Sequence, residues 1–321
     1  MTHTVHVPPR LSIVIPMTST STALEETLVS VLENRPDGCE IVVVLSRPYA
    51  DPWNIGEEVR FVQAPTGANI VSCLNLGIAA SEAPVIHVLA AGWRATPGWT
   101  DAPVAILEAG EAGAVVPVAT EGNHAVPTGV RYGRGGRRIA SSGNPMAPCL
   151  EAGFWRADIL EMAGRGFVLT CGEAFADADM AVTLDRIGCP VVVEPSAQVV
   201  RGEPRRRGNP FMAGLHAERL FWRSLAGRSV APAVCMHAVE IVRHTLARAP
   251  LGIVPVLAGR LMAMLQFGAY RERYQQLRRL AEARAIEADG HHTIRIDAPH
   301  ASVGRPAAID REIVQPMRRS A

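Results

Sequence analysis

The sequence predicts an α/β protein: a mostly parallel, twisted sheet with helices packed on it, followed by a C-terminal helical extension. Three observations carry this prediction. Short β-branched runs and helical-period runs alternate as strand, helix, strand, strand, helix, strand within the first 90 residues, an order that calls for crossover connections and parallel pairing. The runs are continuous and apolar, as in buried strands. After Gly208 the pattern changes to arginine-rich amphipathic helices.

The first strand is Leu11 to Pro16 (LSIVIP), closed by proline. A helix follows over Thr22 to Asn34, with Leu24, Leu28, Val31 and Leu32 on one face and a Thr22–Glu25 capping box. Glu40 to Leu45 (EIVVVL) and Val59 to Gln63 are the next strands, Ala68 to Ala80 a helix, and Val85 to Leu89 a fourth strand. Thr100 to Ala109 reads as a helix and Ala114 to Val118 as a strand. The glycine-rich stretch from Pro127 to Asn144 reads as a hairpin or mobile loop. Ala157 to Ala163 and Asp179 to Ile187 are helical, while Pro190 to Val193 and Ala197 to Arg201 are extended. Helices are expected over Phe211 to Leu225, Ala233 to Arg248 and Leu251 to Ala285. This gives a main domain over 10–208, a helical extension over 209–285 and a loose tail over 286–321.

Bulk properties narrow the function. A net charge of +1 gives no global field for nucleic acid. All 32 basic residues are arginine, a pattern that composition bias explains. The six cysteines show no C-x-x-C spacing, which argues against a zinc knuckle or a thioredoxin-like site. Met1 to Arg10 has no apolar secretory core, so a cytoplasmic setting is expected. The tract from Ala249 to Ala269 is broken by Pro250, Pro255 and Arg260, which suits a core or interfacial helix better than a spanning one. A G-x-S-x-G elbow and a phosphate-binding G-x-x-x-x-G-K-[ST] loop are both missing.

In parallel sheets ligands bind beyond the carboxyl ends of the strands, which directs attention to the loops after Ile15, Leu45 and Leu89. Four segments there and beyond occur in a telling order. They are Leu11-Ser-Ile-Val-Ile-Pro16; Glu40-Ile-Val-Val-Val-Leu45; Leu74-Asn75-Leu-Gly77 with Val85-Ile-His-Val-Leu89 and Pro97-Gly98-Trp99; and Phe175-Ala-Asp177-Ala-Asp179-Met180 with Arg186 and Gly188. Over about residues 10–225 the chain resembles glycosyltransferase family 2, whose fold is the GT-A type. The resemblance implies transfer of a sugar from a nucleotide-sugar donor to a hydroxyl on a glycan or lipid-linked acceptor, with inversion. It implies nucleotide contacts from Pro16, Met17, Ser46, Asn75, Ala90 and Gly92. It makes Asp177 the catalytic base, with Asp179 beside it at the start of a helix, where the dipole favours negative charge.

The chain departs from the family twice. Leu45 and Ser46 stand where the family has aspartates, and Ala90-Ala91-Gly92 stands where the family has its metal-binding D-x-D. Alanine offers a hard cation no side-chain oxygen, so the magnesium or manganese of the family is in doubt as a cofactor. Arg201, with Arg205 to Arg207 nearby, is expected to supply fixed positive charge to the diphosphate instead. The alternative is a catalytically inactive GT-A domain that binds a glycan, a nucleotide or a partner. Trp93, Trp99 and Trp155 are candidates for stacking on a sugar or for core packing. Arg137 and Arg138, in the glycine-rich loop, are candidates for a lid or phosphate clamp, and His291-His292 for an incidental metal site. The C-terminal helices are expected to pack on the domain, with peripheral contact at the inner membrane face as a further role.

Overall fold

The computed structural model describes residues 8–122, 124–202, 208–225, 229–266, 268, 270–280 and 282. The expected tail over 286–321, with His291 and His292, and Arg205 to Arg207 lie outside the described residues. In chain order the elements are β1 (Leu11–Met17), α1 (Ser21–Glu33), β2 (Cys39–Leu45), β3 (Arg60–Gln63), α2 (Ile70–Ala80), β4 (Val85–Leu89) and β5 (Arg94–Ala95). Then come α3 (Asp101–Glu108), β6 (Ala114–Glu121), β7 (His124–Val126), β8 (Gly129–Tyr132), β9 (Arg138–Ser141), β10 (Ala147–Pro148), β11 (Ala152–Arg156) and α4 (Ala157–Met162). The last are α5 (Gly172–Ile187), β12 (Val191–Val200), α6 (Pro210–Arg223), α7 (Val230–Leu246) and α8 (Ile253–Met264). A further helical stretch covers 270–280.

The main sheet runs β3-β2-β1-β4-β11-β6-β12-β5, with β7 paired to β6. Strands β3, β2, β1 and β4 are mutually parallel, as the alternating pattern predicts. Strand β11 then enters antiparallel between β4 and β6, and β6 pairs parallel with β12. The β8–β9 hairpin and β10 form a separate three-stranded sheet. All seven residues of β1 and all five of β4 are buried, which is why both read as unbroken apolar runs.

Local chemistry sets several boundaries. Thr20, not Thr22, caps α1, its hydroxyl accepting from Ala23 N at 3.3 Å, so the helix starts earlier than the expected capping box would place it. Asn69 caps α2, accepting from Ser72 N at 2.9 Å. Gly77 lets α2 lie directly on β1, because a Cβ there would sit 2.3 Å from Val14 Cγ1. The two expected extended pieces after Ile187 form one strand, β12, bent by an irregularity between Glu194 and Gln198. The expected long helix after Leu251 is two: α8, then 270–280.

Trp93, Trp99 and Trp155 are all buried, so they serve as core. His87 on β4 lies among them, its ring 3.8 Å from Phe154 and 4.6 Å from Trp99 between centroids. Complete burial lowers the His87 pKa to about 3, so the ring is neutral. The helices after β12 pack on the sheet domain, and the chain through Ala281 is one compact unit. Two buried ionic clusters join them. Glu218 of α6 accepts from Arg260 of α8 at 2.6 Å and lies 3.0 Å from His237 of α7. Asp179 of α5 accepts from Arg273 at 2.8 Å and Arg223 of α6 at 3.4 Å.

Candidate active site

Helix α5 organises the site. Its start at Gly172 corrects the expectation that Asp177 marks a helix entrance: Asp177 lies in the second turn, beyond the first-turn N–H groups that favour a carboxylate. Two residues apart on a helix means about 200° apart around it, so Asp177 and Asp179 face different surroundings. Asp179 faces Arg223, Arg273 and Cys171, wholly inside the protein. Asp177 faces the β8–β9 hairpin and a cleft.

The Asp177 carboxylate is 1% exposed. Arg138, the first residue of β9, grips it with both ends of its fork: Nε donates to Oδ1 at 2.8 Å and Nη2 to Oδ2 at 2.6 Å. Burial pulls the Arg138 pKa down, but the Asp177 charge and hydrogen bonds outweigh it and the net shift is upward. The glycine-rich segment is thus an anchored hairpin that delivers Arg138 to the site. Its tip is held by α7, where His237 Nδ1 donates to Gly135 O at 2.7 Å and the His237 ring stacks on Phe221 at 3.6 Å.

Beside this pair lies a cleft of about 610 Å³. Asp177 and Glu173 come from α5, Arg138 from β9, and Glu151 from the residue before β11. Met212 and His216 come from α6, and Arg248 from the turn after α7. The His216 pKa is lowered to about 4 by burial and then by Arg219. Arg138, Glu151, His216 and Arg248 were not singled out from the sequence as partners of Asp177.

The loop after β4 borders the same region. Ala152 pairs with Leu89, and Ala90 N donates to Glu151 O at 2.8 Å, so the loop begins next to a cleft residue. Ala91 N donates to Pro16 O at 3.3 Å, while Gly92 N donates to Ala23 O at 2.9 Å and Thr27 Oγ1 at 2.8 Å. The loop is therefore tied through its backbone to the end of β1 and to α1, which brings Pro16, Ala90 and Gly92 together. Met17 and Ser46 meet beside them, the buried Ser46 hydroxyl donating to Met17 O at 2.7 Å. Asn75 points elsewhere. It pins the backbone of Phe167, donating to its O and accepting from its N, both at 2.8 Å.

The chain leaving β12 crosses this loop. A Cβ on Gly202 would lie 2.0 Å from Gly92 O, so only glycine fits. Arg201 is thereby held next to the loop, its backbone N donating to Thr120 O at 2.8 Å and its guanidinium 3.8 Å from Glu121. Ala90, Ala91 and Gly92 offer a divalent cation no side-chain oxygen. Among the described residues no group of three or more His, Cys, Asp or Glu is arranged to hold one.

No protein-family model and no curated protein matches the chain. Solved structures do. Residues 1–349 of S. aureus TarS, in complex with UDP-GlcNAc, match with a TM-score of 0.55 at 12% identity, covering 85% of this chain and 91% of that one. The same protein in a second structure matches with a TM-score of 0.52 at 11% identity, covering 85% and 90%. The chain has a GT-A-type fold. A Pyrobaculum calidifontis mannosyltransferase in complex with GDP-Man and Mn2+ is also similar, at 16% identity, 88% and 87% coverage and a TM-score of 0.49.

Proposed function

We propose that this protein transfers a sugar from a nucleotide-sugar donor to an acceptor hydroxyl, with inversion at the sugar and without a resident metal. The observation that carries this reading is the Asp177 carboxylate, nearly buried at a cleft and aimed by a bidentate arginine. A carboxylate oxygen offers two lone-pair sites, so Asp177 keeps Arg138 while accepting the acceptor's proton. Arg138 orients the base and balances its charge. On the donor side the nucleotide lies against the cluster of Pro16, Met17, Ser46, Ala90 and Gly92, held by contact with the loop surface, because Ser46 already spends its hydroxyl on Met17. Arg201, held against Gly92 by the Gly202 crossing, supplies positive charge to the leaving diphosphate. Asn75 acts as a positioning residue through Phe167. Domain limits of 10–208 and 209–285 and a cytoplasmic setting accord with this reading, and all six cysteines are free thiols.

Calorimetry with uridine and deoxythymidine diphosphates, with EDTA present, tests it directly. Binding that weakens in Arg201→Ala supports the donor assignment; no nucleotide binding sinks it. A second reading has one specific observation in its favour. Asp177 and Asp179 of α5 are both already paired with arginines, as suits a GT-A domain that binds without turnover. Donor-sugar hydrolysis that disappears in Asp177→Asn would exclude that alternative.

A further inference from the structure

The tip of the β8–β9 hairpin is fitted to the helical extension rather than left to solvent. Gly135 and Gly136 are both buried. A Cβ on Gly135 would lie 2.6 Å from Met236 O, and one on Gly136 would lie 3.0 Å from Phe221 Cβ, so the tip lies directly against α7 and α6. His237 Nδ1 donates to Gly135 O at 2.7 Å, and its ring lies flat on Phe221 with 2° between the planes. His237 is itself fixed from behind. Its Nε2 meets Glu218 at 3.0 Å, and Glu218 also accepts from Arg260 at 2.6 Å and from Trp222 at 2.8 Å. At the end of β8 the Tyr132 and Ser224 hydroxyls share a hydrogen bond.

This contact matters because Arg138 follows it so closely in the chain. Gly133 N donates to Arg137 O at 2.8 Å and Gly136 N to Gly133 O at 3.0 Å, so the tip is closed on itself and passes a displacement at Gly135 on to Arg138. Arg138 opens β9 (Arg138–Ser141), which pairs with β8 alone among the described residues and leaves Ile139 and Ala140 exposed. An exposed edge strand this short has little packing of its own to fix its place. The aim of Arg138 on Asp177 is therefore set from the tip. A bidentate pair needs both N–H···O lines at once, and a misplacement of about 1 Å at a catalytic group can lower turnover about 10²-fold.

We infer that His237 is a positioning residue: it holds the hairpin tip against α7 and so keeps Arg138 aimed at Asp177, which makes the helical extension a working part of the site. The catalytic consequence rests on the transferase reading above; the aiming of Arg138 does not.

The test uses the full chain in two variants that attack the same contact from opposite sides. His237→Phe keeps the stack on Phe221 but removes the donor to Gly135, and Gly135→Ala pushes the tip off α7 without altering a helix. In nitrogen-15 spectra the Arg138 Nε–H signal is identified by its loss in Arg138→Ala. It is expected to exchange with water at least about tenfold faster in both variants, while the Nε–H of Arg223, which faces Asp179, stays as it is. His237→Asn, which restores a donor at the Nδ1 position, is expected to recover part of the protection. In donor-sugar hydrolysis both variants are expected to lower kcat about tenfold with nucleoside-diphosphate binding unchanged. In an Arg138→Ala background His237→Phe is expected to add nothing to the loss. An unchanged Arg138 signal in the two variants overturns the inference. So does loss of the Arg138 and Arg223 signals together, which marks general loosening, and so do additive kcat losses in the double variant. A wild type without turnover sinks the transferase reading alone, and the spectra still decide the aiming.

Discussion

Helix α5 and the loop after β4 are held by different forces. On the α5 side, charge meets charge inside the protein: Asp177 with Arg138, and Asp179 with Arg223 and Arg273. On the β4 side the loop Ala90–Gly92 has no ionic side chain and is fixed by backbone hydrogen bonds to Pro16, Ala23 and Glu151. The shape of that loop therefore does not depend on acidic side chains. On the other side shape and charge cannot be separated, since removing an acid strands a buried arginine.

The largest effect that would break this comparison is on turnover. Asp177→Asn should lower transfer or donor hydrolysis by about 10²–10⁴-fold if the carboxylate is the base, measured as donor consumed per enzyme. An undiminished rate would leave Asp177 with only its ion pair to explain it. Next is Asp179→Ala, which leaves the buried guanidiniums of Arg223 and Arg273 without their carboxylate. It should cost about 3–5 kcal/mol in urea unfolding, whereas Ala91→Ser on the opposite side should cost about 0.5 kcal/mol or less.

A third effect comes from the core beneath both sides. His87 stays neutral in the fold down to about pH 3, while in the unfolded chain it takes up a proton near pH 6.5. The unfolded state thus binds more protons in that window, and stability falls as pH drops through it, by about 1.4 kcal/mol per pH unit from this residue. Comparing the unfolding free energies of the wild type and His87→Leu from pH 6.5 to 4.5 should show the difference in slope. The smallest effect is Arg201→Ala, expected to weaken nucleoside-diphosphate binding about tenfold, or about 1.4 kcal/mol, with stability unchanged because its pair with Glu121 is exposed and long.

The parallel half of the sheet was legible because β1, β2 and β4 are buried along nearly their whole length. Strand β11 was not. Ala152–Arg156 is a short run containing a glycine, and its place between β4 and β6 depends on pairings with residues about 40 to 70 positions earlier. The start of α5 was hidden for a related reason: most of the helix is buried on every side, so Glu173 to Ala178 shows no two-sided pattern. Asp177 stood out by its motif. Arg138 did not, since a glycine-rich loop gives no sign of which acid it will meet. The apolar periodicity of α7 and α8 was visible, but periodicity does not say which side is outward.

The close passage of Gly202 over Gly92 bears on inheritance. Two main chains meet there with no room for a methyl group, so a mutation at 202 displaces β12 from the loop whether or not the site has any chemistry. Among descendants of this chain Gly202 will be retained by geometry. Lineages with turnover and lineages without it will share that glycine.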